Sequence, residues 1–100
     1  MVVKFTEIYE STNAHSNDKS RSYSLREVFI NPEQVVCVRS DSGFKQRLQE
    51  GSLPPGLDPR QEFSRVYLNR GQSGLDIVVV GPPGTVDEIL RKNAKQLLKG

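Results

Sequence analysis

An α+β fold, a mostly antiparallel five-stranded sheet with a short helix in the middle and a C-terminal amphipathic helix packed on it, follows from three observations. Runs rich in β-branched and aromatic residues recur between turn-forming stretches. One short helical pattern precedes the fourth of these runs. The last sixteen or so residues, from Thr85, carry apolar side chains at helical spacing behind a capping signature.

Residues 2–10, VVKFTEIYE, set Val3, Phe5 and Glu7 on one side and Val2, Lys4, Thr6 and Ile8 on the other, as a strand does. Residues 11–22, STNAHSNDKSRS, hold no aliphatic anchor larger than Ala14, so burial cannot offset ordering and a mobile polar loop is expected. Strand character resumes from Tyr23 to Ile30 and stops at Asn31 and Pro32. Residues 34–40, QVVCVRS, form the dense apolar run expected of a strand in the middle of a sheet, hairpinned to the strand before it.

In DSGFKQRLQEG, Asp41 or Ser42 offers a cap, Phe44 and Leu48 stand one turn apart, and Gly51 ends a short helix. Residues 51–61 hold too many prolines and glycines for regular structure and form a surface crossing tied down by Leu53 and Leu57. Residues 62–70, EFSRVYLNR, put Ser64, Val66 and Leu68 on a core face and Phe63, Arg65, Tyr67 and Asn69 on the other. GQSG, residues 71–74, turns the chain back into LDIVVV, which pairs antiparallel with that strand. No internal repeat or low-complexity tract interrupts this order, so residues 1–100 form a single domain.

The stretch GPPGT after the valines invites comparison with a phosphate-binding loop, GxxxxGK[ST]. Aligned on Gly81, that motif needs glycine, lysine and a hydroxyl where Val86, Asp87 and Glu88 stand. Two carboxylates would repel a polyphosphate. The same residues read as a turn followed by a capping box, Thr85 with Glu88, opening a helix. Asp87 and Glu88 then suit its positive end, Lys92, Lys95 and Lys99 its negative end, and Val86, Ile89, Leu90, Ala94 and Leu97 its buried stripe.

Other chemistries are excluded in turn. His15 is the sole histidine and stands far in sequence from Cys37, which leaves no metal cluster and no thiol–imidazole pair. Glu7, Glu10, Glu27, Glu33 and Glu62 show no spacing that singles out a catalytic pair, so neither an enzyme nor a cofactor is expected. A formal charge of +2 falls short of the field of a dedicated nucleic-acid binder. No apolar run reaches the roughly 18–20 residues of a membrane span, and the charged N-terminus does not read as a signal peptide. A single cysteine fits an apolar core position in a reducing cytoplasm.

The remaining feature is the outward side of the fourth strand, where Phe63, Arg65 and Tyr67 interleave rings with a cation between Arg60 and Arg70. Such residues anchor protein interfaces. They also stack and neutralise single-stranded nucleic acid. At FINPEQVVCVR, and again at LPPGLDPRQEFSRVYLNRGQSGLDIVVVG, the chain resembles small uncharacterised proteins of large tailed bacteriophages, including cyanophages, over residues 29–81. The resemblance implies a phage protein acting in the host cytoplasm and carries no catalytic residue, cofactor or partner with it.

The expected function is therefore a non-enzymatic protein-interaction or regulatory module. Its expected partner is a protein, a second copy of itself included, because a chain of this length buries only about 60–65% of its unfolded surface and gains from an added interface. The competing reading is a weak single-stranded nucleic-acid binder acting through Arg60, Arg65, Tyr67 and Arg70.

Overall fold

A computed structural model describes residues 2–11, 22–70 and 73–99, and their side chains except at 70, 73–74 and 94–99. Five strands, β1 (Val3–Ser11), β2 (Ser22–Ile30), β3 (Val35–Ser40), β4 (Phe63–Arg70) and β5 (Ser73–Val80), form one sheet in the order β2-β1-β5-β4-β3. Every neighbouring pair is antiparallel. Helix α1 (Ser42–Gln49) precedes β4, and helix α2 (Pro83–Lys99) follows β5. The expected mobile loop and His15 lie outside the described residues, apart from the ends of β1 and β2.

The expected hairpin between β2 and β3 does not form, and β3 is not central. These two strands are the opposite edges of the sheet, β2 pairing with β1 and β3 with β4. They are nevertheless joined only by Asn31 and a single 3-10 turn, Pro32–Gln34. A flat sheet would hold its outer strands about 19 Å apart, whereas such a connection reaches about 14 Å at most. The sheet must curl. Its concave face gathers Ile30 and Val28 of β2, Val35 and Val38 of β3, and Phe5, Val66 and Val79 between them around Val86 and Leu90 of α2. The apolar density of β3 thus serves α2 rather than a second neighbouring strand. Its free edge is broken by a register shift between Val35 and Cys37, where Val36 turns out to solvent.

The convex face has a smaller core. Ile8, Phe63 and Val78 pack under Phe44 of α1, with Leu48, Leu53 and Leu57 closing around them. Leu53 and Leu57 thereby pin the 51–61 crossing to the sheet. Asp41 caps α1, its Oδ1 accepting from the Phe44 N–H at 3.0 Å, and Gly51 leaves the helix at a φ of 78°.

The cap of α2 differs from the expected box. The Pro82 carbonyl accepts the Val86 N–H at 3.0 Å and the helix begins at Pro83, so Thr85 lies inside the first turn. A proline preset for helical φ and lacking an N–H is favoured at that first position, so the helix starts earlier than Thr85. Val86 and Leu90 are buried as expected, whereas Ile89 is exposed and Ala94 and Leu97 lie outside the described side chains. Asp87 meets Arg91 at 2.8 Å, one turn on.

Gly81 makes the turn between β5 and α2. Its φ is 134°, and a Cβ there would meet Val86 Cγ2 at 3.3 Å. Its N–H donates to Glu62 O at 2.9 Å, and its carbonyl accepts from Ser64 Oγ at 2.7 Å. The glycine is thus required by backbone shape and close packing, with no appeal to phosphate. Gly81→Ala is expected to lower stability by about 1–2 kcal/mol, a fall of about 4–16 °C in Tm for a chain this size. An unchanged melting curve by circular dichroism would show that the turn adopts another conformation.

Candidate functional site

β4 sends alternate side chains to the two faces. Ser64 and Val66 enter the concave core, and Phe63, Arg65 and Tyr67 point toward the α1 side. Phe63 is only 1% exposed and lies beneath α1, its ring 6.1 Å from that of Phe44. It offers a partner no surface.

Arg65 is braced between two carboxylates. Its Nε and Nη2 donate to Asp41 Oδ2 at 3.0 and 2.8 Å, and its Nη1 donates to Asp76 Oδ2. Asp41, itself nearly buried, thus ties the start of α1 to β4 while Asp76 ties β4 to β5. The hydrogen bond to Asp76 raises the Arg65 pKa above its usual value against the opposing effect of burial, with Asp41 adding to the rise. One cation faces two anions, so this part of the strand presents no positive field to a phosphate backbone.

Of the other expected binding residues, Tyr67 and Arg60 are each engaged within the chain. Tyr67 is half-buried, with the Arg39 guanidinium 6.0 Å from its ring centre. Arg60 is exposed and held by Asp58, whose Oδ1 accepts its N–H at 2.8 Å. That backbone hydrogen bond, aided by the Arg60 side chain, lowers the Asp58 pKa. The Arg70 side chain lies outside those described.

Three other surfaces carry more. On the α1 side a cleft of about 430 Å3 has Ile8 and Val78 as its floor and Tyr23, Phe44 and Arg47 as its wall. Arg47 sits 5.1 Å from the Phe44 ring and 5.4 Å from the Tyr23 ring, and those rings meet edge to face at 5.3 Å.

The second surface is edge strand β2 itself. Its residues Leu25 and Phe29 share a face, and Phe29 is 60% exposed. The opposite face of β2 looks into the concave side, where Val28 and Ile30 join the core. A strand apolar on both faces is a sequence signal, but which face lacks a cover becomes legible only from the strand order.

The third is a pocket of about 400 Å3 at the end of the concave face beyond the core, lined by Val28, Leu68, Leu75 and Ile77 and by the pair Glu7 and Arg26. Glu7, 6% exposed, stands directly across from Arg26 in the β1–β2 register. Arg26 Nε reaches Glu7 Oε1 at 2.8 Å and Nη2 reaches Oε2 at 3.4 Å. Its guanidinium lies 4.0 Å from the Tyr9 ring centre. The hydrogen bond to Glu7 raises the Arg26 pKa, so this side chain stays charged at any ordinary pH.

No family model matches this chain, nor does any curated protein or solved structure. Among the described residues, no group of three or more His, Cys, Asp or Glu is placed to hold a metal ion, and no helix is long and apolar enough to cross a membrane.

Proposed function

We propose that this chain is a non-enzymatic protein-binding module that self-associates through the β2 edge. The observation that carries the reading is Phe29, a large ring 60% exposed on a strand whose outer backbone edge has no neighbouring strand among the described residues. Leu25 on the same face extends the apolar stripe, and the Lys4–Glu27 ion pair at 3.6 Å lies between them across β1. An unpaired edge supplies main-chain hydrogen bonds to an incoming strand, and an adjoining apolar stripe supplies burial. The module works in a reducing cytoplasm, which suits its lone thiol at Cys37. The nucleic-acid reading has less support, since Arg65 is engaged by two carboxylates and Phe63 is covered.

Sedimentation velocity over a wide concentration range tests the reading. The native chain is expected to form dimers at high concentration, and Phe29→Glu to remain monomeric, because a charge in the contact must be desolvated without a partner. At an exposed position the monomer's stability should change by less than about 0.5 kcal/mol. A native chain that stays monomeric at millimolar concentration, or a Phe29→Glu variant that dimerises equally well, overturns it.

A further inference from the structure

The pocket on the concave face has the two parts of a receptor for an amphipathic anion. Its apolar part is shaped by Val28 of β2, Leu68 of β4, and Ile77 and Leu75 of β5, the last 43% exposed and therefore wet in the free chain. Its polar part is made by Arg26, the one cation among lining residues that also include Gln34, Glu7 and Asp76, the two carboxylates being engaged by Arg26 and by Arg65 respectively. Binding sites for small molecules combine these features: a concavity of a few hundred Å3, mostly apolar walls, and a few convergent polar groups that fix orientation.

The charge of the ligand head follows from how Glu7 and Arg26 are placed. Glu7 is buried, and both its carboxylate oxygens accept from Arg26. It is ill placed to meet a second cation. Arg26 is the outer member, its side chain 55% exposed. A guanidinium carries five N–H donors, and the fork to Glu7 uses one on Nε and one on Nη2. Donor capacity therefore remains on the solvent side. The fork and the Tyr9 ring, 4.0 Å away, fix the guanidinium plane before any ligand arrives, which reduces the ordering cost of binding. A planar, bidentate anion suits such a fork better than a point charge does.

The geometry points to a binding site for a small carboxylate with an unbranched apolar tail, the head on Arg26 and the tail over Val28, Leu68, Leu75 and Ile77. Arg26 and Val28 stand on the face of β2 opposite Leu25 and Phe29, and Phe29 borders the pocket only at the strand edge, so the head and tail contacts differ from the self-association stripe while sharing that border.

Titration of the isotope-labelled full chain with octanoate, followed by amide chemical shifts, tests the assignment, with 1-octanol as a neutral probe of the same tail. Saturable shifts are expected at residues 26–28, 68 and 75–77, with octanoate binding about tenfold tighter than octanol, the worth of one charge-assisted hydrogen bond. Leu75→Trp fills the pocket from an exposed position and should abolish those shifts while the melting temperature holds. The double variant Glu7→Gln with Arg26→Gln keeps a hydrogen-bonded pair without charge and should bring octanoate down to the level of octanol. Absence of saturable shifts, shifts that persist in Leu75→Trp, or equal affinity for octanol and octanoate in the native chain would each overturn the assignment. Because Leu75→Trp leaves the ion pair intact, the test stands even if the double variant fails to fold.

Discussion

Replacing Phe63 by alanine is expected to lower the unfolding free energy by about 3–5 kcal/mol, the usual cost of removing a buried aromatic ring. The ring is 1% exposed and joins the convex core to Phe44 of α1, with Ile8 and Val78 beneath. The facing ring and the sheet beneath are both restrained. Phe44 is held by the capped first turn of α1 and by its contact with Tyr23, and the sheet backbone under the ring is paired on both sides of β4. For a domain whose total stability lies in the usual range of about 5–15 kcal/mol, the loss should lower Tm by at least about 12 °C. Thermal and urea unfolding of the variant provide the check. A loss below about 1 kcal/mol would mean that α1 does not rest on this ring.

The second large effect is expected at Arg65, for a different reason. Arg65→Ala removes the one guanidinium that, among the described residues, pairs with the nearly buried Asp41 carboxylate, leaving Oδ2 with its charge uncompensated. Breaking a fully buried pair costs about 3–5 kcal/mol. With Arg65 about one-third exposed, the expected loss is reduced to about 2–3 kcal/mol. Asp41→Ala should cost a similar amount, since it removes both this pair and the α1 cap. The double variant should then be less destabilised than the sum of the two by at least about 1 kcal/mol, the sign of a direct contact. Asp76→Asn, on the exposed side of the brace, should cost under about 1 kcal/mol. Additive losses at Arg65 and Asp41 would contradict the brace.

These two residues also mark the limit of what the sequence makes legible. The alternation in residues 62–70 separates Ser64, Val66 and Leu68 from Phe63, Arg65 and Tyr67 correctly, because side-chain direction in a strand is a local property. What lies over each face is not local. Phe63 looks outward until α1, reached through a crossing of uncertain path, is folded back over it. Arg65 looks like a free cation until Asp41 arrives from 24 residues away and Asp76 from 11. Asp41 is legible in the sequence as one of two candidate caps, beside Ser42, but its second oxygen is not legible as a counter-ion.

The same distinction governs the topology. Each strand and both helices stand, apart from shifts at their ends such as the earlier start of α2, where propensity and periodicity put them, yet the apolar run of β3 suggests a central position that it does not occupy. A helix seated in a curled sheet can bury an edge strand as well as a neighbouring strand can. The short link at residues 31–34 reads equally as a hairpin turn or as a corner between the two ends of such a sheet. The Glu7–Arg26 pair depends on the β1–β2 register across a segment without apolar anchors, so no local pattern reveals it.

The claim on which the functional account turns is that β2, and not the cation-bearing strand β4, meets the partner. Amide hydrogen exchange of the native chain, compared at low and high protein concentration, tests it most directly. The account predicts that protection rises with concentration in residues 22–30 and stays constant in residues 63–70. Exchange that is independent of concentration throughout, or a gain confined to residues 63–70, would contradict it.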